Sequence, residues 1–293
     1  MKSDRLLLAL TGMRVTEFKS LAVSFEKVLS EDLESRDRQR RVGAGRKGIL
    51  KDVETKLFYI LFYLKVYPTY DLAGFIFTVD RSRCFHWTLR LMPLLEKTLG
   101  RHMVLPKRQM RSVEEFMSLC PDVKDLFIDG TERPVQRSKK HKLQKKNYSG
   151  KKKTYTRKNT VVTNEKREIL FISPTKGGRI HDVKQLQKTG ILHNLPPDKD
   201  LWVDKAYQGI EKIISSTNKV MRPHQKPKGK NLSAEQKKEN KIISGIRIIV
   251  EHAINGVKRF GATSHIYRNR KGQDDRFILL CAGLWNFHLK PAY

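Results

Sequence analysis

Two aspartates stand where carboxylates could hold a metal ion. Asp129 follows the apolar run Leu126–Ile128 and Asp204 follows Leu201–Val203, so each is read as closing a short strand. In open α/β sheets, sites form at the C-terminal edge of the strands. Metal-dependent phosphoryl transfer needs such acids, because Mg2+ prefers oxygen ligands and two ions about 4 Å apart activate the nucleophile and stabilise the leaving oxygen. A third acid lies on a countable helix. Ser233 followed by Gln236 is a capping-box signal, and Ile243, Ile246, Val250, Ala253, Val257 and Phe260 form one apolar stripe at helical spacing. The wheel puts Ser244, Arg247, Glu251, Asn255 and Lys258 on the opposite, polar face. Periodicity alone favours a plain surface contact of Glu251 with Arg247 or Asn255 over a catalytic role.

The chain carrying these acids is strongly basic. Its 293 residues hold 60 Lys and Arg against 30 Asp and Glu, a formal charge of +30. Such an excess calls for a polyanion, nucleic acid first and an anionic membrane surface second. The longest apolar run, Leu57–Val66, is interrupted by Lys65 and is too short to span a bilayer, and no cleavable signal follows Met1–Leu10. A soluble intracellular protein is expected. The cysteines, Cys84, Cys120 and Cys281, are odd in number and widely spaced, which supports neither a disulfide framework nor a structural zinc site. With 39% hydrophobic residues the chain can build a core, and its length suggests two structural units.

Helical spacing runs from a Thr16 cap through Phe18, Leu21, Phe25 and Leu29 to a charged tail at Arg36–Arg41, and Val42–Gly48 reads as a linker or a flexible arm. A second helix runs from Asp52 to a stop at Tyr67 and Pro68. Thr69 opens a short helix to Phe77, and Asp80 caps a third, with Arg81, Ser82 and Arg83 in its first turn and Phe85, Leu89 and Met92 on its buried side. Two helices joined tightly, the second opening on basic and hydroxyl residues, match a helix-turn-helix reader; an ordinary three-helix core remains open. Thereafter strands are expected at Leu126–Asp129, Thr154–Thr163, Glu168–Ser173, Leu201–Asp204 and Lys219–Arg222. Helices are expected at Asp182–Lys188 and Ile210–Ser216, giving a mixed α/β sheet. Arg137–Lys158 has no acidic residue and places Tyr148 and Tyr155 among its charges, either a ribbon gripping a DNA backbone or a disordered basic loop. Arg222–Lys230 reads as a basic, Pro-rich loop.

The strings IDGTERPVQR, WVDKAYQG and IRIIVEHAINGVKRF resemble the three catalytic blocks of DDE-superfamily insertion-sequence transposases, of the insertion sequence five family with Harbinger relatives. The stretch from Gly45 to Arg83 resembles the helix-turn-helix block that precedes them. This resemblance implies an RNase-H-like mixed sheet with flanking helices, preceded by an all-α helix-turn-helix domain. The expected division is an N-terminal helical region and linker (1–45), a helix-turn-helix domain (46–115) and a catalytic domain with basic insertions (120–293). It implies that Asp129, Asp204 and Glu251 bind two Mg2+ or Mn2+ ions for cleavage of DNA by water and transfer of the freed 3'-hydroxyl to target DNA. His181, Asp182, Lys205, Tyr207 and His252 become supporting residues, and Ala206 stands where a Gly is usual. DNA contacts are expected from Arg81, Ser82, Arg83, Arg133, Lys139, Lys140, Lys151, Lys152, Lys258 and Arg259. The partners implied are terminal inverted repeats and target DNA, bound by a homodimer or larger assembly, with no membrane and no small-molecule substrate. The protein would be cytoplasmic and nucleoid-associated in a prokaryotic host. Two rivals are a catalytically silent DNA-binding descendant and a basic RNA-binding or ribosome-associated protein; neither has a use for the three acids.

Overall fold

The computed structural model describes residues 3–35, 48–214, 217–227, 229, 231–269 and 272–290. The charged tail and most of the linker expected at 36–48 lie outside them. In chain order the elements are α1 (Asp4–Thr11), α2 (Val15–Glu34), α3 (Val53–Val66), α4 (Tyr70–Phe77), α5 (Arg81–Arg101), α6 (Val113–Leu119), β1 (Asp125–Pro134), α7 (His141–Asn147), β2 (Tyr148–Ser149), β3 (Thr154–Thr163), β4 (Ile169–Ile172), β5 (Lys176–Gly177), α8 (Asp182–Gln187), β6 (Asp200–Val203), β7 (Val220–Met221), α9 (Ala234–Lys258), α10 (Gly261–Ser264) and α11 (Asp274–Leu289). They form two compact units, Met1–Leu105 with Val257–His265 and Arg276–Tyr293, and Pro106–Gly256 with Ile266–Asp275. Most of α11 thus belongs with the N-terminal helices rather than with the sheet, a departure from the expected single C-terminal domain. Its apolar side explains the departure: Phe277 packs against Tyr63 and Tyr67, and Asn286 donates to the Val104 carbonyl.

In the helical unit Asp80 caps α5 as expected, and Asp52 and Thr69 cap α3 and α4. Thr16 instead lies inside α2, whose start is held by Glu17 Oε2 accepting from the Arg14 amide at 2.8 Å. Asp52 Oδ1 accepts from the Thr55 amide at 2.6 Å, Thr69 Oγ1 from Leu72 at 3.1 Å and Asp80 Oδ1 from Ser82 at 2.7 Å, each satisfying an otherwise orphaned helix N–H. The turn between α4 and α5 depends on Gly74. A Cβ there would come within 2.6 Å of the Val79 carbonyl oxygen, whose own amide donates back to the Gly74 carbonyl. The buried side of α5 is Cys84, Thr88, Leu91, Met92 and Leu95, rotated slightly from the expected Phe85, Leu89 and Met92 stripe. Tyr59 causes the rotation by bonding the Cys84 carbonyl at 2.7 Å and standing 3.1 Å from Thr88 Oγ1.

The second unit is a mixed sheet of order β2-β3-β1-β6-β7, with β4 and β5 also paired to β3. β1 is central: antiparallel to β3, with Asp129 opposite Val161, and parallel to β6, with Ile128 opposite Val203. β1 outruns its expected end at Asp129 by five residues, because Gly130–Pro134 continue the ladder with β3 after β6 has stopped. One face carries a core that includes Leu126, Ile128, Val162, Phe171, Leu201, Val203 and Tyr207, covered by residues of α6 and α8 such as Phe116 and Leu186. On the other face Phe127 stacks on Trp202 at 6.1 Å, and Trp202 Nε1 donates to Asp125. The helix expected over Ile210–Ser216 is reduced among the described residues to one 3-10 turn, Ile210–Lys212, and another such turn, Lys205–Tyr207, precedes it.

Candidate catalytic site and nucleic-acid interface

Register brings the two aspartates together. Since Ile128 lies opposite Val203 on parallel strands, the residues that follow, Asp129 and Asp204, emerge side by side. Each is tied to neighbouring backbone. Asp129 Oδ1 accepts from the Gly130 amide at 2.7 Å, and the Asp204 carbonyl accepts from Tyr207 at 3.0 Å to open a 3-10 turn. Gly130 is needed beside them, because a Cβ would come within 2.7 Å of Asp182 Oδ1.

Arg247 of α9 joins the pair. Its guanidinium lies 3.4 Å from Asp129 Oδ2 and 3.7 Å from Asp204 Oδ1, and the residue is only 6% exposed. The polar face read from the sequence is corrected here. Ser244, Glu251 and Asn255 are exposed as expected, but Arg247 turns inward with Val250 and Ala253. Two carboxylates on the sheet give a buried guanidinium the partners it needs. Burial pushes the Asp129 carboxyl above the usual aspartate range and neighbouring Asp204 adds to this, while Arg247, the Gly130 amide and Lys151 pull it back.

A second charged cluster adjoins the first. Lys158 Nζ lies 3.1 Å from Glu132 Oε1 and 3.2 Å from Asp182 Oδ1, and donates to the Ile180 carbonyl. Asp182 stands beside Gly130, next to Asp129, and Lys158 holds it there. The fully buried Tyr207 lies within the fields of Asp182, Asp129 and Asp204, and burial together with these carboxylates drives its phenol well above the usual range, so it keeps its proton. Among the other expected supporting residues, His181, Lys205 and His252 are exposed. Glu251 stands one helical turn beyond Arg247 and is exposed, and among the described residues no three His, Cys, Asp or Glu side chains gather as a metal-holding group. By donor chemistry, Asp129 and Asp204 fit a divalent metal: they are hard oxygen ligands converging on a shared cation.

The expected DNA contacts divide by burial. Arg81, Ser82 and Arg83 are exposed in the first turn of α5, and Lys139, Lys140, Lys151 and Lys152 are exposed on and around α7 and the β2–β3 hairpin. Arg133 and Arg259 are not available. Arg133 is 2% exposed, paired with Asp274 at 3.4 Å and set over the Tyr267 ring, while Arg259 donates to the Gly12 carbonyl and packs on Phe260 and Trp285. Lys258 is half-buried. Sequence reasoning missed Arg247 and Lys158 as site residues. The one available signal was a cation one helical turn from a candidate acid.

An acid midway along β1 beside an acid just past the end of β6, in a very basic chain, makes a place suited to a divalent cation and a phosphate substrate. A family model described as "DDE superfamily endonuclease" matches residues 128–286, more than half of the chain, and one described as "Helix-turn-helix of DDE superfamily endonuclease" matches residues 50–101. The protein "Probable transposase for insertion sequence element IS702" of Microchaete diplosiphon is 30% identical over 260 residues, 88% of each chain. No solved structure matches. The chain belongs to the DDE superfamily of endonucleases, whose members generally use divalent metal ions. None of the described helices is long and apolar enough to cross a membrane.

Proposed function

We propose that this protein is a transposase that cuts the ends of an insertion sequence and joins them to target DNA. The observation that carries the reading is the meeting of Asp129, within β1, and Asp204, just past the end of β6, with Arg247 between them. These two aspartates, with Glu251 completing the set, are the residues we assign to two Mg2+ or Mn2+ ions. Bound there, the metal supplies Lewis-acid activation of water and of the 3'-hydroxyl and stabilises the leaving oxygen.

The protein's own groups prepare that chemistry. Asp129 and Asp204 are fixed by strand register, so their carboxylates need little reorganisation. The protonated Tyr207 lies close enough to Asp129, Asp204 and Asp182, the last held by Lys158, for their charges to be felt at the phenol. Arg81, Ser82 and Arg83 face the terminal repeat in a major groove, and Lys139, Lys140, Lys151 and Lys152 hold backbone phosphates. Joining two ends calls for at least two copies on DNA.

The test is strand cleavage of DNA bearing the element's own ends, with Mg2+ or Mn2+, comparing the parent with Asp204→Ala. Metal-dependent cleavage lost in Asp204→Ala while DNA binding persists is expected. Binding without cleavage by the parent on correct ends would replace this reading with that of a DNA-binding descendant.

A further inference from the structure

Outside the acid site, the β2–β3 hairpin and α7 enclose a cleft of about 570 Å³ lined by His141, Gln144, Lys145, Tyr148, Tyr155 and Arg179. A cleft of this size falls in the range that takes small ligands. Its lining joins cations to aromatic rings. Tyr148 and Tyr155 are cross-strand neighbours whose rings meet edge to face at 5.9 Å, yet Tyr148 keeps 42% of its surface open. Arg137 backs the pair with its guanidinium 5.8 Å from the centre of the Tyr155 ring. The floor is set as well, since Gln144 Nε2 donates to the Ser138 carbonyl at 2.7 Å. Cations on the rim and an open aromatic ring inside are the combination that binds unpaired nucleotides, by stacking and by phosphate contact. A duplex backbone alone would need the cations but not the ring.

We propose that this cleft receives an unstacked nucleotide of the DNA strand, with its base against Tyr148 and its phosphate beside Lys145 and Arg179. The inference rests on the reading of the chain as a DNA-cutting enzyme and deepens it. A nucleotide held out of the stack in this cleft would keep a DNA end open. Unpairing costs a few kcal/mol, which stacking on an aromatic ring offsets in part.

The experiment uses the full-length protein in EDTA, so that its outcome does not depend on cleavage. A short oligo-dT carrying one 2-aminopurine, single-stranded or in a matched duplex, is titrated with the parent, Tyr148→Phe and Tyr148→Ala. The parent and Tyr148→Phe are expected to change the fluorescence of the single strand. Tyr148→Ala should abolish that change and weaken single-strand affinity by roughly 5- to 100-fold, with duplex affinity altered less than about twofold. Equal losses on single strand and duplex, or unchanged single-strand binding by Tyr148→Ala, would overturn the proposal. Should Tyr148→Ala lower the melting temperature enough to blur the comparison, photo-cross-linking of the parent to 5-iodouracil DNA decides. An adduct on Tyr148 or Tyr155 supports the site, and adducts only elsewhere remove it. Base capture in EDTA by a protein that then fails to cut correct ends would sink the endonuclease reading and leave the cleft standing.

Discussion

At the scale of single residues, the site is a balance of buried charges. Lys158 is 6% exposed between Glu132 and Asp182, and removing one partner of a buried pair leaves an uncompensated charge. Lys158→Met should therefore destabilise the protein by roughly 3–5 kcal/mol, read as a drop in the urea midpoint; a change under about 1 kcal/mol would mean that the cluster is well solvated. Arg247 raises a different expectation, since it shares the two carboxylates assigned to metal. Arg247→Met should lower the melting temperature of the metal-free protein and enlarge the rise on adding Mn2+, because the guanidinium no longer competes for the same oxygens; an unchanged Mn2+ effect would show that Arg247 and metal do not compete. Asp129 and Asp204 were legible in the sequence because an acid after an apolar strand is a local pattern. Arg247, Lys158 and Arg133 were not. A helical wheel puts Arg247 on the polar face, the basic run Arg137–Lys158 puts Lys158 on a surface, and the family resemblance puts Arg133 among the DNA contacts. What buries them is a partner distant in sequence: Asp129 and Asp204 for Arg247, Asp182 for Lys158, and Asp274 for Arg133.

At the scale of elements, the five expected strands are all present and differ mainly in length, whereas α1, α6, α7, α10 and α11 were not read and the helix expected at Ile210–Ser216 is reduced to a 3-10 turn among the described residues. A helix announces itself by period and cap within one segment. The reciprocal bonds of the α9 box, Ser233 N–H to Gln236 Oε1 and Gln236 N–H to Ser233 Oγ, both at 3.1 Å, sit where the sequence put them. Strand length depends on a neighbour, so β1 runs on to Pro134 only because β3 is there to pair with it, and the two-residue β2 and β5 had no local signature. The same dependence made α7 read as ribbon or loop. Since α9 carries Arg247 and Glu251, its cap has a functional consequence. Ser233→Ala should cost about 0.5–2 kcal/mol and raise amide exchange in the first turns of α9; unaltered exchange there would mean the cap is dispensable. The end of α5 gives a pH dependence. His102 packs on Phe287 at 5.0 Å, and burial, helped by Lys290, lowers its pKa below the usual 6.5. Below about pH 6.5 the unfolded chain takes up a proton that the folded one resists, so this contribution to stability falls as pH drops through that value towards the folded pKa. Replacing His102 with Gln should flatten the fall in urea midpoint between about pH 7.5 and 5.5; an equally steep fall would assign it to other groups.

At the scale of the whole molecule, the charge of +30 is the most consequential property, and it was plain from composition. Its placement was only partly plain. Several cations serve the fold: Arg133, Arg157, Lys158, Arg247 and Arg259 all bind groups of the protein itself. The exposed lysines around α7 and the β2–β3 hairpin remain for phosphate. A protein that neutralises six to ten phosphates loses roughly 10³- to 10⁵-fold in DNA affinity between about 50 and 200 mM salt, with a log–log slope set by the number of counterions released. The parent should show such a slope on duplex of any sequence. Single Ala substitutions of Lys139, Lys140, Lys151 or Lys152 should each reduce it by about one, equally for specific and random DNA. Arg81→Ala should instead weaken binding to the terminal repeat more than to random duplex, by roughly 1–3 kcal/mol if Arg81 reads a base. These two patterns separate backbone gripping from base reading. If the lysine variants left the slope unchanged while Arg81→Ala lowered affinity for both DNAs alike, α5 would be the main phosphate contact and the hairpin would have no part in holding the duplex.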